Sequence, residues 1–163
     1  MKHVLFVCLG NICRSPMAEG IFKGLIHKRG LSEKIAVDSA GILDYHKGDL
    51  PDPRMRQTAL KHHIELDSRS RPVTRQDFSR FDYILAMDRN NLRELKNLMG
   101  SVARPEARLF IMREFDNARS GKDVDDPYYL GGEGFENCYR VLDESCRNFL
   151  DFIEKEDAPA GRQ

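Results

Sequence analysis

Four stretches of this chain, HVLFV, IAVDSA, FDYILAM and ARLFIM, are short apolar or β-branched runs bounded by polar residues. None alternates apolar with polar in the way a half-buried strand does. Continuous apolar character over so short a length suits strands covered on both faces, the usual state of a parallel sheet. Helical patterns lie between the runs. Met17, Ala18, Ile21, Phe22, Leu25 and Ile26 recur at helical spacing, with Ser15 as N-cap, Pro16 in the first turn and Gly30 as the stop. Residues 51–63 and 88–99 read as two more helices, and a last one spans about Glu133 to Glu154, with Cys138, Leu142, Phe149 and Ile153 on one stripe. Strands alternating with helices predict a single α/β domain, a four-stranded parallel sheet with helices on both faces. Residues 1–155 are expected to form that domain and 156–163 a disordered tail.

A chain of 163 residues buries a sufficient core without staples. Its 26 basic and 26 acidic residues balance, which argues against a general nucleic-acid binder or a protein steered to anionic membranes. An anion site here must be local. The four cysteines, Cys8, Cys13, Cys138 and Cys146, form neither a disulfide framework nor the paired CxxC of structural zinc. No metal is expected, and a reducing, cytoplasmic setting fits best. The apolar run Val4 to Val7 is too short for an export signal, and no window approaches the length of a membrane span.

The first run ends in Cys8, and the first helix begins near Ser15, so the intervening loop lies at the carboxyl edge of a parallel sheet and at a helix N-terminus. Both are addresses for anions. Gly10 and Asn11 tolerate the positive φ that turns amides inward. Such a nest fits a phosphate, and the planar fork of Arg14 adds two donors. The same field, with a hydroxyl bond from Ser15, favours the thiolate of Cys8. A thiolate beneath a clamped phosphate attacks phosphorus in line and forms a covalent intermediate, and Arg14 with the amides carries the developing charge, so neither metal nor cofactor is required. A lone strand-end cysteine is more often a packed thiol; the order of residues on this turn favours the chemical reading.

The run VCLGNICRSPMAE resembles the signature of the low-molecular-weight protein tyrosine phosphatases, and DSAGI, PDPR, ILAMDRNNL and DDPYY extend the resemblance over most of the chain in the same order. That family's fold is a four-stranded parallel sheet flanked by helices. The implied activity is hydrolysis of phosphotyrosine in proteins or peptides through a phosphocysteine. Cleavage of a phosphate ester also needs a proton for the leaving oxygen. The loop GKDVDDPYYLGGEG offers Asp123, Asp125 and Asp126, and composition does not choose among them. The resemblance does: the Asp directly before Pro127, Asp126, would be the acid and then the base that activates water.

By the same resemblance Leu9, Ile12 and Tyr45 line the entrance, and Asn11 and Ser39 brace the phosphate loop. The resemblance also implies that Cys13 would pair reversibly with Cys8 under peroxide, the alternative being a simply packed thiol, and that Tyr128 and Tyr129 would serve as substrate wall or as targets of a tyrosine kinase. One departure stands out. Many relatives carry a histidine in the bracing network, whereas LDSRSRPVT places Ser68 there; His62 and His63 read as helix-surface residues.

Three rivals remain. A thioredoxin-coupled arsenate reductase uses a similar loop but needs two further thiols near it, and Cys138 and Cys146 look like core. Related arginine phosphatases carry Thr where this chain has Ile12. A phospho-ligand binding module would have no use for Asp126. The loop has neither the Walker lysine pattern nor GxGxxG, and no histidine is placed for a cysteine protease.

Overall fold

The computed structural model describes residues 1–158. The four apolar runs form β1 (Lys2–Cys8), β2 (Ile35–Gly41), β3 (Tyr83–Ala86) and β4 (Arg108–Ile111). All pair in parallel, in the order β2-β1-β3-β4. The sheet therefore grows in one direction from β1 to β2 and in the other from β1 to β3. This reversal opens a crevice at the carboxyl ends of β1 and β3.

Helices cover both faces, as expected. On one side α1 (Arg14–Lys28) and α5 (Gly132–Asp157) pack over Phe6, with Phe22 and Phe149 meeting it edge-on at ring centroids 5.5 and 6.5 Å away. On the other, Leu5, Val7 and Ile84 pack against Phe78 of α3 (Asp77–Arg80) and Leu95 of α4 (Arg89–Met99). Burial of each such side chain contributes roughly 1.5–3 kcal/mol. Among the described residues α2 (Pro53–Lys61) completes the helices, capped by Asp52, whose side chain accepts from Arg54 N at 2.8 Å. The short α3 and the 3-10 turns Met112–Phe115 and Pro127–Tyr129 have no counterpart in the sequence reading.

Helix α1 stops as expected: Gly30 takes φ 68° and Leu31 N bonds back to Ile26 O at 2.9 Å. Its start differs. Cys13 holds the N-cap position and makes no side-chain cap bond, so Ser15 lies inside the helix with its hydroxyl committed elsewhere. The tail boundary also shifts. Helix α5 continues to Asp157, because Glu156 accepts from Tyr83 Oη at 2.7 Å and from Arg108 Nη1 at 2.9 Å. The remainder of the expected tail, residues 159–163, lies outside the described residues.

Burial pulls the Glu156 carboxyl upward, but the bonds from Tyr83 and Arg108 outweigh it and hold the group below its ordinary range. A depressed folded-state value stabilises the fold above the unfolded-state value, and that stability is lost as pH falls through the folded one. Glu156→Gln should therefore cost about 1 kcal/mol at neutral pH, with the difference from wild type shrinking below about pH 4. Urea unfolding at pH 7 and pH 3.5 checks this; a deficit that does not shrink in acid counts against it.

Candidate active site

The loop between β1 and α1 is tied down by its carbonyls. Leu43 N donates to Leu9 O at 2.9 Å, Ser70 Oγ to Gly10 O at 3.0 Å and Asp52 N to Ile12 O at 2.8 Å. Among the described residues, no main-chain N–H from Leu9 to Cys13 donates to a protein acceptor. A buried turn with anchored carbonyls and free amides at a helix N-terminus is an anion cradle. Asn11 makes the turn with φ 57°. Gly10 does not take the positive φ expected of it; a Cβ there would lie 3.2 Å from the His46 ring, a tight contact that this side chain would have to ease. Gly41 presses on the loop from β2, where a Cβ would stand 3.0 Å from Leu9 O and 3.1 Å from Gly10 C.

Beneath the loop runs a buried chain of hydrogen bonds. Asn11 Oδ1 accepts from Arg71 N at 3.1 Å, so its amide nitrogen faces Ser15 Oγ at 2.7 Å and Ser39 Oγ at 3.0 Å and donates to both. Ser39 gives its own hydrogen to Glu19 Oε1 at 2.5 Å, since an ionised carboxylate only accepts. Ser15 Oγ, having accepted from Asn11, also donates to Ala40 O at 3.4 Å and lies 3.0 Å from Cys8 Sγ, a bond that either atom can donate. The outer oxygen of Glu19 pairs with Lys23 Nζ at 2.6 Å.

Asn11, Ser15 and Ser39 thus brace the loop as expected, while Ser68 does not replace the histidine. It makes no side-chain hydrogen bond among the described residues and lines a shallow hollow with Glu19 and Lys23. Glu19, Ser70 and Arg71 do the bracing and were missed in the sequence. The i, i+4 spacing of Glu19 and Lys23 reads as an ordinary surface pair, and nothing in it signals a buried carboxylate.

Arg14 is only 3% exposed. Nη1 donates to Asp88 Oδ2 at 2.8 Å and to Val124 O at 2.9 Å, and Nη2 lies 3.6 Å from Asp126 Oδ2. Burial works against its charge, but Cys8, the Asp88 bond and Asp126 outweigh it and hold the guanidinium more firmly protonated than usual. Asp88 was also missed. Its other oxygen accepts from Asn91 N at 2.7 Å, so one carboxylate caps α4 and clamps Arg14. The sequence shows only the cap.

Of the three acidic candidates in the following loop, Asp123 turns away to Arg89 N at 3.0 Å, and Asp125 is exposed outside the cavity. Asp126 faces the cavity, 37% exposed, and accepts from Tyr128 N at 3.1 Å. The cavity measures about 360 Å³. Cys8 and Arg14 form its floor; Leu9, Ile12, Tyr45, Tyr128 and Tyr129 line its wall where they were looked for, and Cys13 and His46 line it as well. Tyr45 and Tyr129 are 83% and 86% exposed, forming an aromatic rim.

The other thiols are buried. Burial, reinforced by the nearby Asp52, pushes Cys13 far above its ordinary range, and burial raises Cys138 to about 12. Cys146 lies fully in the core of α5, its Sγ 3.9 Å from Ala18 O.

A family model described as low molecular weight phosphotyrosine protein phosphatase matches residues 3–159. A Schizosaccharomyces pombe protein of that name is 43% identical over 152 residues, covering 93% of this chain and 96% of that protein. A crystal structure of a protein tyrosine phosphatase from Entamoeba histolytica superposes with a TM-score of 0.90 at 40% identity, over 97% of this chain and 100% of that one. A drosophila arginine phosphatase also superposes with a TM-score of 0.90, at 38% identity, over 96% of this chain and 100% of that one.

Gly41→Ala should force the loop outward and weaken binding of inorganic phosphate about tenfold, equivalent to roughly 1.4 kcal/mol. Titration calorimetry of the folded variant measures it; unchanged affinity would show that the loop yields without cost.

Proposed function

The chain belongs to the low molecular weight phosphotyrosine protein phosphatase family, and on that premise we propose that it removes phosphate from tyrosine side chains of proteins or peptides by the route its pocket favours. In this reading Cys8 is the nucleophile, Arg14 the phosphate clamp and Asp126 the acid and then the base. The observation that carries it is the Arg14 guanidinium, buried beside the Cys8 floor, held by Asp88 and 3.6 Å from Asp126 in one cavity.

The phosphate of the ester enters the cradle of free amides, and Arg14 takes its oxygens. The sulfur of Cys8 attacks phosphorus; the S–P bond forms as the P–O bond to the aryl group breaks, and Asp126 gives its proton to the departing phenolate. Asp126, now a carboxylate, takes a proton from water as the water oxygen attacks phosphorus. Inorganic phosphate leaves and the sulfur regains its charge, which Ser15 Oγ at 3.0 Å is placed to stabilise. Amides and guanidinium are held before the charge develops, so little reorganisation is required.

Substrate choice rests on the walls. Leu9, Ile12, Tyr45 and Tyr128 present flat or aliphatic surface suited to a phenyl ring. This supports phosphotyrosine over phosphoarginine, whose polar guanidinium needs partners those walls lack. Burial of Cys138 and Cys146 weighs against a thiol relay to arsenate. The exposed Tyr128 and Tyr129 are proposed as acceptors for a tyrosine kinase, checked by mass spectrometry after incubation with one.

Cys8→Ser should lower kcat/KM on aryl phosphates by at least about 10³-fold and abolish the burst of phenol. Asp126→Asn should lower kcat/KM for phenyl phosphate by roughly 10²-fold. A burst that survives without the Cys8 thiol, or a phosphoarginine peptide turned over faster than its phosphotyrosine counterpart, would overturn this reading.

A further inference from the structure

The segment that carries Asp126 has little holding it. Among the described residues from Asp125 to Leu130, the hydrogen bonds are Tyr128 N to Asp126 Oδ1 and Leu130 N to Pro127 O, both internal, and one from outside. The outside donor is Arg54 Nη1, which reaches Tyr128 O at 3.2 Å. The same guanidinium grips Asp52 as a fork, Nε to Oδ1 at 3.1 Å and Nη2 to Oδ2 at 2.8 Å. Its Cζ lies 5.1 Å from the centre of the Tyr128 ring and 4.7 Å from that of Phe135, a buried anchor on α5. Asp52 in turn donates its main-chain N–H to Ile12 O of the phosphate loop at 2.8 Å.

We propose that Arg54 is the positioning residue of the general acid, a strap that holds the Asp126 segment in register with the phosphate loop through Asp52 on one side and Tyr128 on the other. The inference rests on the assignment of Asp126 made above. Its physical basis is the planar fork. A guanidinium satisfies a carboxylate with two in-plane donors and still has a donor for a carbonyl, while its face covers aromatic rings. A lysine has one ammonium and does not span both partners. The other ties on the segment are buried Pro127 and the looser 3.6 Å approach of Asp126 Oδ2 to Arg14 Nη2, which is longer than a hydrogen bond. Asp126 caps its own turn through Tyr128 N, so the peptide that Arg54 holds by its carbonyl adjoins the one that orients the acid.

A displaced acid has a signature that general loosening of the fold does not share. Loss of proton donation slows esters of weakly acidic phenols and spares those of strongly acidic ones, which depart without help. The experiment measures kcat/KM for phenyl phosphate and 2,4-dinitrophenyl phosphate with wild type, Asp126→Asn, Arg54→Met and Arg54→Lys. Calorimetry with inorganic phosphate and thermal unfolding follow each variant. Arg54→Met should lower the phenyl rate about tenfold or more relative to the dinitrophenyl rate. Arg54→Lys should show the same selective loss although it keeps the positive charge, and adding Arg54→Met to Asp126→Asn should change the selectivity no further. A loss equal for both esters, no loss, or full rescue by lysine overturns the proposal. Should Asp126→Asn itself show no such selectivity, it is the assignment of the acid that fails.

Discussion

The site depends on how one side-chain amide is oriented. Asn11 has a single oxygen, and Arg71 N occupies it; the two hydrogens on its nitrogen then have only Ser15 and Ser39 to meet. From that choice the Ser39 hydrogen is directed to Glu19 at one end, and at the other Ser15 Oγ, having accepted from Asn11, lies 3.0 Å from Cys8 Sγ. Asn11, Ser15, Ser39 and Glu19 are all buried, where an unmatched polar group costs about 1–3 kcal/mol. A half-satisfied network would be worse than none, so the arrangement is held as a unit. Arg71 is itself fixed by Asp38 and Asp77, which ties the proton direction beneath the nucleophile to β2 and α3.

Sheet topology supplies the rest. Because β1 has β2 on one side and β3 on the other, three parallel strands deliver their carboxyl ends to one crevice. β1 brings Cys8, β2 brings Ser39 and the close approach of Gly41, and the residues just after β3 bring Asp88. A cation as deeply buried as Arg14 would be expelled from such a place without partners. Asp88 and Val124 O hold one nitrogen of the guanidinium and leave the rest of the fork facing the cavity. The clamp is thereby rigid before any phosphate arrives, which is the condition for stabilising charge that appears only during reaction.

What was legible in the sequence is what local pattern determines. Unalternating apolar runs gave the parallel strands, and the order of Cys8, Gly10, Asn11 and Arg14 gave the loop. Less was visible where one side chain serves two purposes. Ser15 looks like an N-cap because a serine before an apolar helical stripe usually is one; here its hydroxyl is taken by Cys8 and Asn11, and the helix begins without a side-chain cap. Asp88 looks like a cap and is one, but its second oxygen reaches back 74 residues to Arg14. Glu19, Arg54 and Arg71 have local partners in Lys23, Asp52 and Asp77, but the contacts that matter to the site, to Ser39, Tyr128 O and Asp38, come from elements distant in the chain. Ser68 shows the limit of resemblance: a matching position need not inherit the hydrogen bonds of the residue it replaces when Glu19 already has Lys23.

The two thiols of the loop show how the surroundings, rather than the residue type, assign chemistry. Cys8 and Cys13 are both buried and both free. Cys8 Sγ lies 3.0 Å from the Ser15 hydroxyl, beside the Arg14 guanidinium and among main-chain amides that have no protein acceptor among the described residues. At Cys13, burial and the nearby carboxylates Asp52 and Asp126 disfavour ionisation and hold its proton. Asp52 therefore does two things at once. It anchors the loop through its main chain and, with its side chain, adds to the burial that raises the second thiol. A sulfur five residues from Cys8 and on the same cradle is thus kept as a protonated thiol by burial, reinforced by the same carboxylate that binds Arg54.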